Sequence, residues 1–232
     1  MRRTATDDPG GKPPRPATRL NARTLARGVA ALSARDPDLA AIVARWGAPP
    51  LWARPPGFTT LVTIIVGQQV SLAAARAILG RLHAGRQLTP ESLLGLSEDA
   101  LRSFGFSRSK AIYCLGLARS IVANEIDLDA LDALGDAEAR TLLMRLKGVG
   151  PWTADIYLLS ALRRPDVWPA GDLALATAVQ EVKRLPGRPS PQELQQIAEP
   201  WRPWRAVAAR MLWHHYLSSR GSHRVPGGPA PV

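Results

Sequence analysis

The sequence predicts an all-α protein, and three observations carry that prediction. Across the 232 residues, apolar side chains recur mostly at helical spacing, and the alternation typical of strands is almost absent. Helix-capping residues precede one segment after another, as at Asp36, Thr89 and Ser190, each of which is followed by proline. Hydrophobic residues make up 46% of the chain, enough for a sizeable core. We therefore expect nine or ten helices joined by short loops.

The elements follow in order from these signals. An apolar face predicts a helix over 21–33, and a second helix follows with Asp36 as its N-cap and Gly47 beyond its end. The segment 57–85 is predicted as one long helix or two in series. Its β-branched residues make a strand a local alternative, but its length and its Ala-rich continuation favour helix. Further helices are expected to begin at Thr89, Ser97, Ser107, Asp136, Ser190 and Arg202.

The composition limits which binding partners and which metal or redox sites the protein can have. The formal net charge of +11 at pH 7 indicates a polyanionic partner, most often nucleic acid and sometimes a membrane surface. Cys114 is the single cysteine in the sequence, which excludes an intrachain disulfide, an iron–sulfur cluster and a cysteine-based zinc site. The four histidines lack metal-ligand spacing.

Neither a membrane span nor a secretory signal is predicted. No apolar run reaches 18 residues, and the N-terminus lacks the apolar region of a signal peptide. Residues 1–18 and 221–232 are expected to be disordered tails because they are rich in proline and glycine, and the first tail is basic. A cytosolic location fits these features best.

The segment "MRLKGVGPWTADIYLL", residues 144–159, predicts a hairpin of two helices. Gly148 and Gly150 flank Val149, and Pro151 opens the second helix, where its missing N–H costs nothing. The glycines let a bulky partner approach the main chain, and the new helix N-terminus offers free N–H groups to a phosphate. An ordinary turn between helices is the alternative, but the full Leu-x-Gly-Val-Gly-Pro-x-Thr-Ala pattern is more specific than a bare Gly-x-Gly.

"LKGVGPWTA" resembles the helix-hairpin-helix motif of the HhH-GPD superfamily of DNA base-excision glycosylases, in particular its 3-methyladenine DNA glycosylase II group. "RRPDVWPAGDLAL" resembles the Gly/Pro-rich loop and aspartate of that superfamily, with Asp172 twenty residues after Trp152. "IIVGQQVSLAAARAI" resembles the helical segment that these enzymes push toward a lesion, and "WRPWRAVAARMLWHHY" also has a counterpart. The resemblance covers roughly residues 50–216.

The resemblance implies a glycosylase domain over 19–220, with the hairpin at 137–162 and the Gly/Pro-Asp loop at 165–172. It implies two helical subdomains with a DNA-binding and active-site cleft between them. It also implies that the extra α/β domain of a larger bacterial relative is absent. The expected partner is double-stranded DNA with a damaged base, bound by a monomer.

The resemblance assigns catalysis to Asp172. As a base leaves, positive charge builds on the sugar, and a fixed carboxylate stabilises that charge and can orient or deprotonate the attacking water. A helix N-cap is the alternative reading of Asp172. Asp155 and Asp166 are nearby rivals that fit the family pattern less well; Asp155 lies inside the second hairpin helix, and Asp166 is expected to be solvated.

Trp152 stands where bifunctional members of the superfamily carry a lysine nucleophile. Tryptophan cannot form a Schiff base, so the resemblance implies a monofunctional glycosylase, and Lys147 precedes the turn in the wrong place. The resemblance places Trp152 and Trp213 in the base pocket, because an indole face holds cationic alkylated purines well. Core packing is the alternative for both residues, and for Trp213 the two stay open. Ile156 departs from the family, in which an aromatic residue occurs, and that puts the substrate range in doubt. Three other tryptophans are expected to pack in the core: Trp168, Trp201 and Trp204.

The remaining site residues also follow from the resemblance. Gln69 aligns with the wedge that fills the gap left by a flipped base; a polar interruption of a buried helix is the alternative. Family members also hold a sodium or potassium ion with hairpin carbonyls, here those of Met144, Leu146 and Val149. No redox cofactor is required. The predicted contacts to the DNA backbone are Gln68, Ser71, Lys147, Gly148, Val149, Gly150 and Thr153. For Gln68 and Ser71, capping of a helix end is the alternative.

The function implied is excision of alkylated bases such as 3-methyladenine and 7-methylguanine in base excision repair. Two alternatives stay open at this point. One is a glycosylase for uracil or another lesion, and the other is a helix-hairpin-helix module that binds DNA without catalysis.

Overall fold

A computed structural model describes residues 19–84 and 87–221, and within them the chain is entirely helical with no strand. The all-α prediction is confirmed, but the expected nine or ten helices were too few. Residues 1–18 and 222–232 lie outside the described part, so the two predicted tails remain predictions. The described chain forms twelve α-helices, α1 Ala22–Arg35, α2 Pro37–Trp46, α3 Phe58–Gly67, α4 Leu72–His83, α5 Pro90–Leu94, α6 Glu98–Ser103, α7 Arg108–Val122, α8 Asp136–Leu143, α9 Pro151–Ser160, α10 Leu173–Lys183, α11 Pro191–Ala198 and α12 Arg205–Ser219, with 3₁₀ helices at Ala130–Ala133 and Glu199–Trp201.

Local capping explains where most of these helices begin. The Asp36 carboxylate accepts hydrogen bonds from the backbone N–H groups of Asp38 and Leu39, which would otherwise have no partner in the helix. Ser190 and Glu193 exchange side-chain and backbone bonds at the start of α11, as a capping box does. These starts were predictable because each depends on residues two or three apart.

The segment 57–85 divides into α3 and α4, the second of its two predicted forms. Gln69 has a φ of 56°, in the left-handed region, and therefore breaks the helix. Ser71 then starts α4 by accepting a hydrogen bond from the Ala74 N–H. We call residues 68–71 the wedge turn.

The helices pack as two groups, as the resemblance implied. The first group contains α3 to α9, and the second contains α1, α2 and α10 to α12. Arg210 of α12 is fully buried and joins them, because its guanidinium donates to the carbonyls of Leu51 and Leu159. The hairpin of α8 and α9 belongs to the first group and α10 to the second, so the cleft between the groups brings the hairpin near the start of α10.

The described residues offer neither a membrane-spanning helix nor a side-chain metal site. No helix within 19–84 and 87–221 combines the length and apolarity needed to cross a bilayer. Over the same residues, no cluster of three or more His, Cys, Asp or Glu side chains is arranged to hold a metal ion. Cys114 is buried in α7, and burial raises the pKa of its thiol to about 12, so this cysteine is a core residue.

Candidate active site

A cavity of about 920 Å³ lies between the two helical groups, within the size range of ligand pockets. The wedge turn, the turn between α8 and α9 and the start of α10 line it, together with Tyr113 of α7. We call residues 144–150 the hairpin turn. Among the described residues, Asp172 is the single carboxylate that borders the cavity, and Arg145 and Lys147 give the opposite charge at its exposed edge.

Three N–H groups hold the Asp172 carboxylate. Its Oδ2 atom accepts a hydrogen bond from the Trp152 indole at 3.0 Å. Its Oδ1 atom accepts from the Trp213 indole at 3.1 Å and from the Leu175 backbone N–H at 2.7 Å. The last bond makes Asp172 the N-cap of α10. A role as helix N-cap and a role as catalytic carboxylate are therefore compatible for Asp172.

Burial and hydrogen bonding act in opposite directions on Asp172. The residue is 5% exposed, and removal from water disfavours its charged form, while the indole and backbone N–H groups favour that form. Burial is the larger effect, so the pKa of Asp172 is raised above its ordinary value. The fixed donors also define where the negative charge sits, next to the cavity.

The two indoles differ in their access to the cavity. Trp152 is partly buried and forms part of the cavity wall. Trp213 is fully buried and does not border the cavity. It lies behind Asp172 and not in the base pocket where it was predicted, because α12 carries it into the core and its N–H faces the carboxylate.

The hairpin turn depends on one glycine. The α8 helix ends at Leu143, and residues 144–150 form the turn that leads to Pro151 at the start of α9. Gly148 has a φ of +89°, and a Cβ atom there would lie 2.3 Å from the Tyr113 ring. Gly150 has an ordinary φ of −88° and open space around it. Gly148 is therefore required by both backbone and packing, whereas Gly150 leaves the start of α9 accessible.

Val149 and Lys147 occupy the hairpin turn with opposite exposure. Val149 is 5% exposed and packs into the core between the helices, and its N–H donates to the Leu146 carbonyl. Lys147 is exposed at the edge of the cavity. Lys147 can therefore meet a polyanion at the same place as the free N–H groups at the start of α9.

Gln68 and Thr153 use their side chains differently from the prediction. The Gln68 amide donates to the Gly148 carbonyl at 3.0 Å and to the Thr153 hydroxyl at 2.8 Å. Thr153 is only 2% exposed. Both were expected to contact the DNA backbone, but their side chains join the wedge turn to the hairpin because these two turns face each other. Ser71 caps α4 with its hydroxyl and remains exposed.

Gln69 occupies the tip of the wedge turn. It is exposed, borders the cavity and takes the left-handed backbone conformation between two helices. The alternative of a polar interruption in a buried helix is excluded by that exposure. The residue is available to a partner that enters the cleft.

Residues 62–203, more than half of the sequence, match the family described as HhH-GPD superfamily base excision DNA repair protein. The chain belongs to the HhH-GPD superfamily. The matched range includes the wedge turn, the hairpin turn and Asp172, so every element described above that carries a predicted contact with DNA is part of the shared domain.

Individual relatives match a large part of the chain. DNA-3-methyladenine glycosylase 1 of Schizosaccharomyces pombe is 29% identical over 161 residues, which span 67% of this chain and 71% of the relative. A DNA-3-methyladenine glycosylase of Bacillus subtilis is 28% identical over 123 residues, 53% of this chain and 41% of that protein. The chain thus spans less than half of the Bacillus protein.

A solved structure supports the fold of this HhH-GPD protein at higher coverage. The 3-methyladenine DNA glycosylase Mag1 of Schizosaccharomyces pombe, determined in complex with abasic DNA, superposes with a TM-score of 0.76 at 26% identity. The superposition covers 84% of this chain and 97% of that one. The two helical groups and the cleft are therefore an arrangement that this chain shares with a DNA-bound relative.

The rival carboxylates lie away from this cleft. Asp155 and Asp166 border a second cavity and do not border the first. Arg140 donates to Asp155 at 2.9 Å. The expectation that Asp166 is solvated is wrong, because Arg202 and Arg205 form ion pairs with it and tie the loop to α12. Neither carboxylate can act on a group bound beside Asp172.

The tryptophans assigned to packing do pack. The Trp168 and Trp201 rings meet edge to face with centroids 5.5 Å apart, and the Trp201 N–H donates to Asp36. The Trp204 ring lies against Gly28 of α1. Ile156, the position that departs from the family pattern, is fully buried and does not border the cavity.

Three apolar residues at the cavity edge were missed as site candidates. Val70 is 39% exposed, Met144 42% and Leu173 70%, and all three border the cavity. Only the Met144 backbone carbonyl had been singled out. Val70 and Leu173 each follow a predicted site residue directly in sequence, so proximity was an available signal, but their exposure depends on the turns that carry them.

The carbonyls of Met144, Leu146 and Val149 are the groups that would hold a sodium or potassium ion at the hairpin turn. Among the described residues, no backbone N–H donates to the carbonyls of Met144 or Val149, whereas the Leu146 carbonyl accepts from Val149. Carbonyl oxygens are hard ligands that suit such ions. The donor set therefore fits, with two of its three oxygens free of intramolecular partners.

Proposed function

We propose that this HhH-GPD protein is a monofunctional DNA glycosylase that excises alkylated bases, of the 3-methyladenine and 7-methylguanine type, from double-stranded DNA. The observation that carries the proposal is the Asp172 carboxylate, buried beside the cavity and held by two indole N–H groups. The names of the relatives from Bacillus subtilis and Schizosaccharomyces pombe support the substrate class. We further propose that it acts as a cytosolic monomer in base excision repair.

The first step is extraction of the damaged nucleotide from the duplex. Unstacking costs a few kcal/mol, and the new gap must be filled. Gln69 at the tip of the wedge turn enters that gap. The N–H groups at the start of α9, together with Lys147, bind phosphates beside it. The apolar rim of Val70, Met144 and Leu173 offers van der Waals contact to the unstacked sugar and base.

The second step is hydrolysis at C1′ of the sugar. The C1′–N bond breaks, its electron pair leaves with the base, and positive charge develops on the sugar. The ionised Asp172 carboxylate stabilises this charge in a site with little water. A water molecule then attacks C1′ and loses its proton to Asp172 or to solvent. The products are the free base and an abasic site.

Trp152 supports selection of alkylated purines. N3- and N7-alkylation gives the purine a positive charge, and tryptophan is the best side chain for holding a cation against its face. Its N–H is already bonded to Asp172, which fixes the orientation of the ring. The same residue thus orients the carboxylate and borders the cavity that receives the base.

We also propose that no strand cleavage follows. A lyase needs an amine that forms a Schiff base with C1′, and position 152 holds an indole. Within the part of the chain that the structure describes, Lys147 is the only lysine on the cavity lining, at its exposed edge. Incubation with abasic-site DNA and sodium borohydride tests this directly. No covalent adduct is expected, and an adduct that disappears in Lys147→Met would overturn this part of the proposal.

No redox cofactor takes part. A sodium or potassium ion bound by the carbonyls of Met144, Leu146 and Val149 would supply positive charge for a DNA phosphate. The residues of the chain perform every other task named above. The ion would act on DNA binding and not on bond cleavage.

The decisive experiment for the function is base release from a panel of duplexes. Each duplex carries 3-methyladenine, 7-methylguanine, uracil or an oxidised purine, and the free base is measured. Release of the two alkylated purines is the expected result. Release of uracil with both alkylated bases left intact would reassign the substrate, and tight DNA binding without release of any base would favour a non-catalytic binding module.

A further inference from the structure

Lys110 of α7 closes the end of α3. Its ammonium group donates to the Val66 carbonyl at 2.8 Å and to the Gln68 carbonyl at 2.5 Å. The last carbonyls of a helix have no partner within that helix, and a cation at this end also faces the negative end of the helix dipole. Lys110 therefore fixes the point at which the wedge turn begins.

The same helix also supports the hairpin turn. Tyr113 follows Lys110 by one turn of α7, and its ring occupies the space that a side chain on Gly148 would need. Gln68 connects the two turns directly through its bonds to the Gly148 carbonyl and the Thr153 hydroxyl. One face of α7 thus touches both turns that border the cavity.

We infer that Lys110 is a positioning residue that holds the wedge turn, with Gln69 at its tip, at a fixed distance from the hairpin turn. The inference rests on the proposed glycosylase function. Gln69 is one residue beyond the carbonyl that Lys110 binds, and its left-handed backbone is intrinsically unfavourable. Without Lys110, two carbonyls lose their partner and the turn can relax to other conformations.

This role predicts a defect that depends on how firmly the target base is stacked. A base in a matched pair must be displaced by the wedge, whereas a base without a partner is already partly unstacked and needs less help. Loss of Lys110 should therefore slow excision from matched pairs and leave excision from unpaired positions almost unchanged. A general loss of folding or of the chemical step would slow both substrates equally.

The experiment compares single-turnover release of 7-methylguanine from a duplex with cytosine opposite and from a duplex in which the lesion is bulged. For Lys110→Met we expect a loss of about tenfold or more on the paired lesion, the value of one or two charge-assisted hydrogen bonds, and little change on the bulged one. Lys110→Arg should recover most of the activity because guanidinium can also donate to both carbonyls. Arg119→Met, which removes an exposed charge from the same helix, should match the wild type on both duplexes.

The outcomes separate this inference from the proposed function. If the wild type releases no base from either duplex, the proposed function fails first. If the wild type is active and Lys110→Met slows both duplexes equally while remaining folded, the positioning role is overturned. Should Lys110→Met not fold, Gln68→Met provides the second variant, since it removes the bridge from the other side. Gln68→Met must then lose more activity on the paired lesion than on the bulged one. An equal loss on both duplexes would overturn the positioning role of Lys110.

Discussion

The indole N–H of Trp152 donates to Asp172 Oδ2 at 3.0 Å, across twenty residues of sequence. Trp152 lies in the first turn of α9, and Asp172 is the N-cap of α10. The bond therefore spans the cleft between the two helical groups. Trp213 completes the arrangement from the buried side. The orientation of the carboxylate is therefore set by the same packing that forms the cleft.

Removal of the Trp152 N–H should shift the pH dependence of base release. In the proposed mechanism Asp172 acts in its ionised form, and the bond from Trp152 favours that form against the effect of burial. In Trp152→Phe the pKa of Asp172 rises further, so the acid limb of the rate profile moves to higher pH, and the maximal rate falls as the cavity wall changes. Single-turnover rates between pH 5 and 8.5 measure this, with the packing variant Trp204→Phe as the control. If the acid limb of the Trp152→Phe profile stays at the wild-type pH, the Trp152 N–H does not lower the pKa of Asp172.

DNA binding should weaken steeply with salt, because phosphate contacts release counterions. Lys147→Met should weaken binding and lower the slope of log K against log salt by about one. Fluorescence anisotropy between low and physiological salt gives that slope. Arg23→Met removes an exposed charge from α1, outside the cavity lining, and should keep the wild-type slope. A flat salt response of the wild type would contradict backbone binding altogether.

Asp155 should make stability depend on pH. Burial raises its pKa to about 7 despite the bond from Arg140, whereas in the unfolded chain the value is about 3.9. The folded state thus retains a proton that the unfolded state loses, so this contribution is complete below about pH 4 and is lost as pH rises through about 7. The urea midpoint of the wild type should fall between pH 5 and 8, and that of Asp155→Asn should fall less.

The matched control for this measurement is Asp99→Asn, whose carboxylate is 91% exposed. It should follow the wild type across the pH range. Identical pH dependence in Asp155→Asn and Asp99→Asn would show that the buried carboxylate does not titrate in this window.

Local features were predictable from the sequence because the residues that interact are close together in the chain. The caps at Asp36 and Ser190 each involve neighbours within three residues, so the relevant partners stand side by side in the sequence. Gly148 was identifiable because the hairpin pattern requires it. The division of the 57–85 segment stayed open, since the deciding feature is the left-handed backbone at Gln69, and glutamine has no strong preference for that conformation.

Long-range pairings could not be predicted in the same way. Trp213 reaches Asp172 across 41 residues and Gln68 reaches Thr153 across 85, so both contacts depend on how the helices pack. Asp166 looks solvated in a loop rich in proline and arginine, but Arg205 of α12 folds back onto it. In each case a polar side chain has several candidate partners in the sequence, and only tertiary structure selects one.

In the proposed mechanism, Asp172 provides the charge for base release while the surrounding turns bind DNA. Asp172→Asn tests it most directly, because it changes the charge with little change in size. We predict that this variant binds lesion-containing duplex with about the wild-type affinity and releases 7-methylguanine at least about 100-fold more slowly. Base release at the wild-type rate would contradict the account.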